Sequence, residues 1–112
     1  MSKTIVAGSR TFQDYGVLEK ALETHIITEI VCGGAKGADT LGEWYGEKNS
    51  IKVTKFPANW AKYGKSAGYI RNEEMAKYAE ELIAFWDGRS GGTKHMISIA
   101  RQLGLKVKIY EI

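Results

Sequence analysis

Residues 82–96 read LIAFWDGRSGGTKHM, and this stretch decides the fold class because it joins a strand-like run to a helix-like segment through glycines. The run Leu82–Trp86 is apolar without alternation, which is typical of a central strand that a parallel sheet buries on both faces. The apolar residues that follow recur at helical spacing: Met96, Ile97, Ala100 and Leu103. A strand that leads through a short glycine loop into a helix is half of a βαβ unit, the building block of α/β folds.

The same alternation continues along the whole chain. Five apolar runs have the length of strands: Thr4–Ala7, Glu29–Cys32, Val53–Phe56, Leu82–Trp86 and Val107–Tyr110. Three further helical stripes lie between them: Val17, Leu18, Ala21 and Leu22; Leu41, Trp44, Tyr45 and Lys48; and Met75, Tyr78, Ala79 and Leu82. Asp14 is expected to cap the first helix, Thr40–Glu43 fits a capping box for the second, and Gly104 fits the end of the last. The pattern predicts an α/β fold in which a five-stranded parallel sheet carries helices on both faces.

Length and composition bound the class of protein. The 112 residues suffice for one domain, 1–112, and a chain that is 44% hydrophobic and 26% charged has the profile of a globular protein. No apolar run is long enough to span a bilayer, and the first ten residues lack the apolar core of a signal peptide. We therefore expect a cytoplasmic protein without membrane contact. The net charge of +3 favours an anionic small molecule but is too small to indicate nucleic acid by itself.

The cysteine and histidine content argues against two kinds of site. The single cysteine, Cys32, closes an apolar strand, so we interpret it as a buried core residue of a protein in a reducing compartment rather than a nucleophile. His25 and His95 are far apart and have no partner at ligand spacing, so no metal site is expected. His95 falls early in the last predicted helix, where it faces either a ligand or solvent.

Three glycine-bearing loops follow predicted strands: 8–10, 33–39 and 87–93. Ligands of open parallel sheets bind beyond the carboxyl ends of the strands, and glycines let a backbone approach them closely. Helix N-termini after such loops present free N–H groups to an anion. Each loop alone is better explained as a tight turn, and neither a P-loop nor a GxGxxG dinucleotide fingerprint is present. The three loops together predict a ligand that carries phosphate.

Individual residues in and near these loops allow two interpretations each. Arg10 and Arg71 either bind phosphate oxygens through the guanidinium fork or are solvated surface residues. Asp39 either accepts from a ribose hydroxyl or caps a helix. The segment 57–72, PANWAKYGKSAGYIRN, is long, basic and aromatic. It is either a functional loop or a surface excursion whose aromatic side chains fold back onto the core.

Four segments resemble the YspA-like branch of the SLOG superfamily: AGSRTF at 7–12, VCGGAKGAD at 31–39, GYIRNEEM at 68–75 and WDGRSGGTKHM at 86–96. The resemblance implies a three-layer α/β/α Rossmann-like fold with strand order 3-2-1-4-5 and a pocket for a nucleotide or nucleotide-like ligand. By position it implies these ligand-binding residues: Gly8, Ser9, Arg10, Gly33, Gly34, Gly37, Asp39, Arg71, Asn72, Asp87, Gly88, Ser90, Gly91, Gly92 and Thr93.

One departure from the superfamily bears on turnover. Some members, the LOG phosphoribohydrolases, carry a PGGxGTxxE motif whose glutamate takes part in cleavage of a nucleoside monophosphate. Aligning Gly92-Thr93 on its Gly-Thr places Met96 where that glutamate belongs, and a thioether cannot transfer a proton. Binding or sensing without turnover is therefore the first hypothesis. A phosphoribohydrolase that uses Asp87 or Asp39 is the second.

Two other kinds of partner remain open. The aromatic and basic segment 60–71 allows a third hypothesis, a nucleic-acid or protein interaction module, which we rank below the first two. A homo-oligomer is also possible, because Trp44 and Tyr45 are adjacent in a helix and cannot both point into the core.

Overall fold

The computed structural model describes residues 2–112, which form five strands and five α-helices. The strands are β1 (Lys3–Gly8), β2 (Glu29–Cys32), β3 (Lys52–Lys55), β4 (Glu81–Trp86) and β5 (Lys106–Glu111). The helices are α1 (Tyr15–Glu23), α2 (Ala38–Lys48), α3 (Trp60–Tyr63), α4 (Ala67–Tyr78) and α5 (Gly91–Gln102), with a 3₁₀ turn at Gly64–Ser66 between α3 and α4. Each predicted strand is present, with bounds that differ from the prediction by at most one residue at either end.

The five strands pair in parallel in the order β3-β2-β1-β4-β5, which confirms the expected Rossmann-like sheet. Ile5 of β1 is paired with Val31 on one side and Leu82 on the other, so β1 is central. The chain leaves β1 toward β2 but returns through β4 on the other side of β1. The loops after β1 and β4 therefore diverge at this point of the carboxyl edge, where ligands of open α/β sheets bind.

Helices cover both faces of the sheet, which confirms the three-layer arrangement. On one face, α1 and α2 pack on a core that includes Val6, Ile30 and Phe85. On the other, α4 and α5 pack on a core that includes Ile5 and Leu82. The central strands are buried on both faces, as their unbroken apolar runs predict, whereas the edge strands β3 and β5 carry exposed lysines among partly buried residues.

The predicted helix termini are partly right. Asp14 caps α1 by accepting from the backbone N–H of Val17 at 3.1 Å, and Gly104 follows α5 with a φ of +80°. The capping box at Thr40–Glu43 is wrong, because α2 begins earlier, at Ala38, and its N-cap is Gly37. The Thr40 hydroxyl instead donates to the carbonyl oxygen of Ala35 at 3.0 Å. The assignment of Leu82 to the third helical stripe is also wrong, because α4 ends at Tyr78 and Leu82 lies in β4.

The segment 57–72 is mostly helical rather than an open loop. It forms α3, the 3₁₀ turn and the first residues of α4, and Asn59 caps α3 by accepting from the N–H of Lys62 at 3.1 Å. Its aromatic side chains do not fold back onto the core, since Trp60, Tyr63 and Tyr69 are all exposed. Across residues 2–112, no helix combines the length and the apolar character that a membrane span requires.

Candidate functional site

A cleft of about 390 Å³ opens at the carboxyl edge of the sheet, between the loops after β1 and β4 and the N-terminal half of α4. Nine of the predicted site residues line it: Gly8, Arg10, Asp39, Arg71, Asn72, Ser90, Gly91, Gly92 and Thr93. Six others lie next to the cleft but outside its lining: Ser9, Gly33, Gly34, Gly37, Asp87 and Gly88. The fold therefore brings the three glycine loops and α4 together at one place. Some of the predicted residues line the cleft, and the others lie beside it.

Ser9 and Asp87 organise the two loops that meet at the switch point. The buried Ser9 hydroxyl accepts from the backbone N–H of Asp87 at 3.2 Å, and the Ser9 N–H donates to the Phe85 carbonyl at 3.0 Å. The carboxylate of Asp87 accepts from the N–H groups of Arg89 and Ser90, each at 2.8 Å. These backbone hydrogen bonds hold the pKa of Asp87 below its usual value. Asp87 is thus an anion that shapes the loop before α5.

Gly33 and Gly37 allow close contacts within the site. The guanidinium of Arg71 donates from Nη1 to the carbonyl oxygen of Gly33 at 2.6 Å, and a Cβ at Gly33 would overlap that guanidinium. Gly37 has a φ of +81°, and a Cβ there would overlap the carbonyl oxygen of Ser9. The lack of a side chain at these two positions therefore leaves room for Arg71 and for the loop after β1.

Asp39 is a buried carboxylate at the start of α2. Its side chain accepts from the N–H groups of Gly33 at 2.9 Å and Ala35 at 3.4 Å. Burial raises the pKa of Asp39 to about 6, and the Gly33 hydrogen bond and the charge of Arg71 oppose that rise. At neutral pH the group is mainly ionised, and it lines the cleft, where it can accept a hydrogen bond from a hydroxyl group.

Asn72 connects α4 to the start of α5. Its Oδ1 accepts from Nε of Arg71 at 3.1 Å, so its Nδ2 is the donor to the Gly92 carbonyl at 3.3 Å and to Nδ1 of His95 at 3.2 Å. His95 therefore accepts through Nδ1 in its neutral form, and its pKa is lowered by burial. A continuous set of hydrogen bonds thus runs from Gly33 through Arg71 and Asn72 to α5.

The N-terminus of α5 is open toward the cleft. Its N-cap residue is Ser90, and within residues 2–112 no side chain caps the first turn. A Cβ at Gly91 or Gly92 would meet no atom within 4 Å, so the packing of the described chain does not explain these two glycines. Free N–H groups at a helix N-terminus bind anions, and the missing side chains let an anion approach the backbone closely.

Charge around the cleft is complementary to an anion. Arg10, Lys65 and Arg71 line it, and Asp39 is the one acidic residue in the lining among the residues that the structure describes. Over the same part of the chain, no group of three or more His, Cys, Asp or Glu side chains is arranged to hold a metal ion.

A family model matches residues 2–63, and it is described as YspA, cpYpsA-related SLOG family (YAcAr). The chain is also 33% identical, over 118 aligned positions, to the Gene 61 protein of Mycobacterium phage D29, and the alignment covers 96% of this chain and 94% of that protein. The chain belongs to the YspA, cpYpsA-related SLOG family. This confirms the resemblance that the four motifs carry.

Among solved structures, this SLOG chain is similar to the X-ray structure of DNA processing protein A (DprA) from Streptococcus pneumoniae. The two share 21% of their residues and superimpose with a TM-score of 0.75. The match covers 97% of this chain and 50% of the DprA chain, so the SLOG chain spans about half of that protein. At this identity the similarity supports the Rossmann-like fold.

Sequence reasoning about single loops did not place several lining residues in the cleft: Trp60, Lys65, Gly68, Tyr69, Met75 and Met96. The aromatic and basic composition of segment 57–72 was the available signal, but only the course of α3 and α4 puts Trp60, Lys65 and Tyr69 beside the glycine loops. Met96 is buried and lines the cleft. Cys32 is fully buried, which confirms the prediction of a core residue, and this burial raises the pKa of its thiol to about 12.

Proposed function

We propose that this SLOG protein binds a nucleotide or nucleotide-derived phosphorylated ligand in the cleft and does not turn it over. The observation that carries the proposal is the N-terminus of α5, where Gly91 and Gly92 leave open space beside uncapped backbone N–H groups. A phosphate group in that space would receive hydrogen bonds from the backbone and would benefit from the helix dipole.

The cations of the cleft fit the same ligand. Arg71 uses Nη1 and Nε for contacts within the protein, so its guanidinium is held in a fixed orientation while it lines the cleft. Arg10 and Lys65 are exposed and add positive charge at the rim. Asp39 supplies the opposite chemistry, an acceptor for a sugar hydroxyl. The cleft thus combines hydrogen-bond donors for a phosphate with a buried carboxylate that can accept from a hydroxyl group. This combination favours a phosphorylated sugar compound over a simple anion.

Two observations favour binding without turnover. Met96 lies in the cleft at the position where the hydrolase motif has glutamate, and its thioether cannot act as acid or base. The carboxylate of Asp87 already accepts two backbone hydrogen bonds and lies outside the lining. A phosphoribohydrolase would therefore have to depend on Asp39. Incubation with nucleoside monophosphates tests this alternative, because hydrolysis would release a free base and ribose 5-phosphate.

Isothermal titration calorimetry tests the proposed function. The panel pairs nucleoside mono-, di- and triphosphates and ADP-ribose with the corresponding unphosphorylated nucleosides. We expect saturable binding of at least one phosphorylated compound and at least tenfold weaker binding of its nucleoside, which corresponds to about 1.4 kcal/mol. Arg10→Ala should weaken the binding of the phosphorylated compound. Arg101→Ala removes the same charge outside this cleft and should leave that binding unchanged. Absence of binding across the panel to a folded sample would contradict the proposal.

Single-stranded nucleic acid is a second candidate ligand. Exposed Trp60 and Tyr69 with the cation Lys65 match the stacking and charge that such strands require, and the similar protein from Streptococcus pneumoniae is named a DNA processing protein. A labelled oligonucleotide should then bind the parent protein with an affinity that depends strongly on salt. The double variant Trp60→Ala, Lys65→Ala should lose this binding. Binding that survives this double substitution would remove the reason for this candidate.

A further inference from the structure

Trp60 and Tyr69 are half exposed and yet belong to a cleft. Each has 55% of its surface accessible, and both line the cleft beside the glycine loops. Large aromatic side chains that stay exposed inside a concave site are unusual unless a ligand covers them. Hydrogen bonding to phosphate does not require either ring, so the proposed phosphate site leaves them unexplained.

Trp60 lies on a capped helix and contacts α4 at one edge of its ring. It is the first residue of α3, whose N-terminus Asn59 caps through the N–H of Lys62. The tip of its indole lies against Gly68 of α4, where a Cβ would be 3.6 Å from Cη2. One edge of the ring therefore packs against the surface of α4, and a Cβ at residue 68 would make an ordinary van der Waals contact with it. A ring that already packs along one edge loses less entropy when a ligand stacks on it than a free ring would.

Tyr69 is fixed by a different set of contacts. Its ring packs against His95 in a tilted arrangement, with centroids 4.4 Å apart and an angle of 36° between the planes. His95 in turn accepts from Asn72, the residue that links α4 to the N-terminus of α5. The orientation of Tyr69 is thus coupled to the same hydrogen bonds that position Arg71.

The chemistry of the lining differs between its parts. The loops after β1 and β4 and the start of α5 contribute glycines, hydroxyl groups and Arg10, whereas α3 and α4 contribute the rings of Trp60 and Tyr69 together with Arg71 and Asn72. Two buried methionines, Met75 and Met96, add an apolar, polarisable surface. A ligand that complements all of this lining carries both a charged group and a flat apolar group.

We propose that Trp60 and Tyr69 are specificity-determining residues that stack on the nucleobase of the ligand. This inference rests on the proposed function and extends it, because it excludes phosphorylated sugars that lack a base. Stacking on an aromatic side chain tolerates every base, so the pair selects for the presence of a base rather than for its identity. Loss of one stacking partner is expected to weaken binding by about tenfold or more.

The test compares ligands that differ only in the base. Adenosine, guanosine, cytidine and uridine 5′-monophosphates and ribose 5-phosphate are titrated calorimetrically into the parent protein and into Trp60→Ala, Tyr69→Ala and Trp44→Ala. Trp44 is the matched control, because it is also 55% exposed but lies on α2 outside the cleft. Trp60→Phe keeps an aromatic ring and should restore most of the affinity that Trp60→Ala loses.

We expect at least one nucleoside monophosphate to bind at least tenfold more tightly than ribose 5-phosphate. Trp60→Ala should lower the affinity for the nucleoside monophosphate toward that for ribose 5-phosphate. The affinity for ribose 5-phosphate itself should not change. If phosphorylated ligands bind but the cleft variants match Trp44→Ala, the stacking role is wrong while the phosphate site stands. If no phosphorylated ligand binds to the folded protein, both proposals fail. Binding of oligothymidylate through Trp60, without binding of mononucleotides, would also overturn the inference.

Discussion

Substitution of Gly92 by alanine separates the stability of the fold from the binding of phosphate. The added Cβ would meet no protein atom within 4 Å, and Gly92 is not among the glycines with positive φ. Alanine therefore fits the backbone of α5 without strain. The same methyl group would occupy the space in which we place the phosphate, so stability and binding should change in opposite directions.

The size of each change follows from the structure. Alanine in place of glycine stabilises a helix by about 0.5–1 kcal/mol, and a position in the first turn belongs at the lower end of that range. For a domain of this size, about 0.5 kcal/mol raises Tm by about 2–4 °C. Displacement of the phosphate from the backbone should weaken binding at least about tenfold, or 1.4 kcal/mol.

Thermal unfolding and calorimetric titration with a nucleoside monophosphate measure the two effects. Gly104→Ala is the control, because a Cβ at Gly104 also meets nothing within 4 Å but the φ of +80° is unfavourable for alanine. It should lower stability by about 1–2 kcal/mol and leave binding unchanged. Unchanged or tighter binding by Gly92→Ala would refute the placement of the phosphate at α5.

Three further predictions concern the hydrogen-bonded residues of the site. Arg71→Lys should lower the free energy of unfolding by about 1 kcal/mol in urea titrations, because lysine has a single nitrogen in place of the Nε and Nη1 that donate to Asn72 and Gly33. An unchanged midpoint would contradict this. Burial raises the pKa of Asp39 from 3.8 to about 6, so the folded protein binds this proton more tightly than the unfolded chain does, and the contribution of Asp39 to stability decreases as the pH rises from about 4 to 6. The decrease in the free energy of unfolding of the parent protein amounts to up to about 3 kcal/mol, and Asp39→Asn should lack it. Parallel curves of stability against pH for the two proteins would contradict this prediction. Nitrogen-15 NMR should find His95 neutral at pH 7 with its proton on Nε2, since Nδ1 accepts from Asn72 and burial lowers the pKa; a proton on Nδ1 would show that the network is arranged differently.

Periodicity and loop chemistry were enough to predict the strands, the parallel sheet and its two helical layers. Apolar runs such as Leu82–Trp86 indicate central strands because a central parallel strand has no solvent-facing side, although the first residue of this run, Leu82, also fits the preceding helical stripe. The strand order came from the family motifs, since alternation of strands and helices does not determine on which side of β1 each strand lies. The errors occur where tertiary contacts override local patterns. The start of α2 is one example, because its N-cap, Gly37, packs closely against the carbonyl oxygen of Ser9.

The site was only partly predictable for a related reason. The rule that ligands bind at the carboxyl edge selects the right loops, but it does not distinguish glycines that face the cleft from glycines that pack beneath a neighbour. Gly91 and Gly92 are of the first kind, and Gly33 and Gly37 are of the second. The position of Trp60 in the cleft could not be predicted from the sequence. It lies on α3, which has four residues and is too short to show a helical hydrophobic period.

Backbone amide chemical shifts during titration with a nucleoside monophosphate test the central claim most directly, since they report both binding and its location. The account predicts saturable shifts that are largest at the N–H groups of Gly91, Gly92 and Thr93, together with a shift of the Trp60 indole N–H. The indole of Trp86, which donates to the Ser90 carbonyl, should respond much less, and the indole of Trp44 should not respond. Saturable binding with its largest shifts away from the start of α5, or no binding by the folded protein, would contradict the claim.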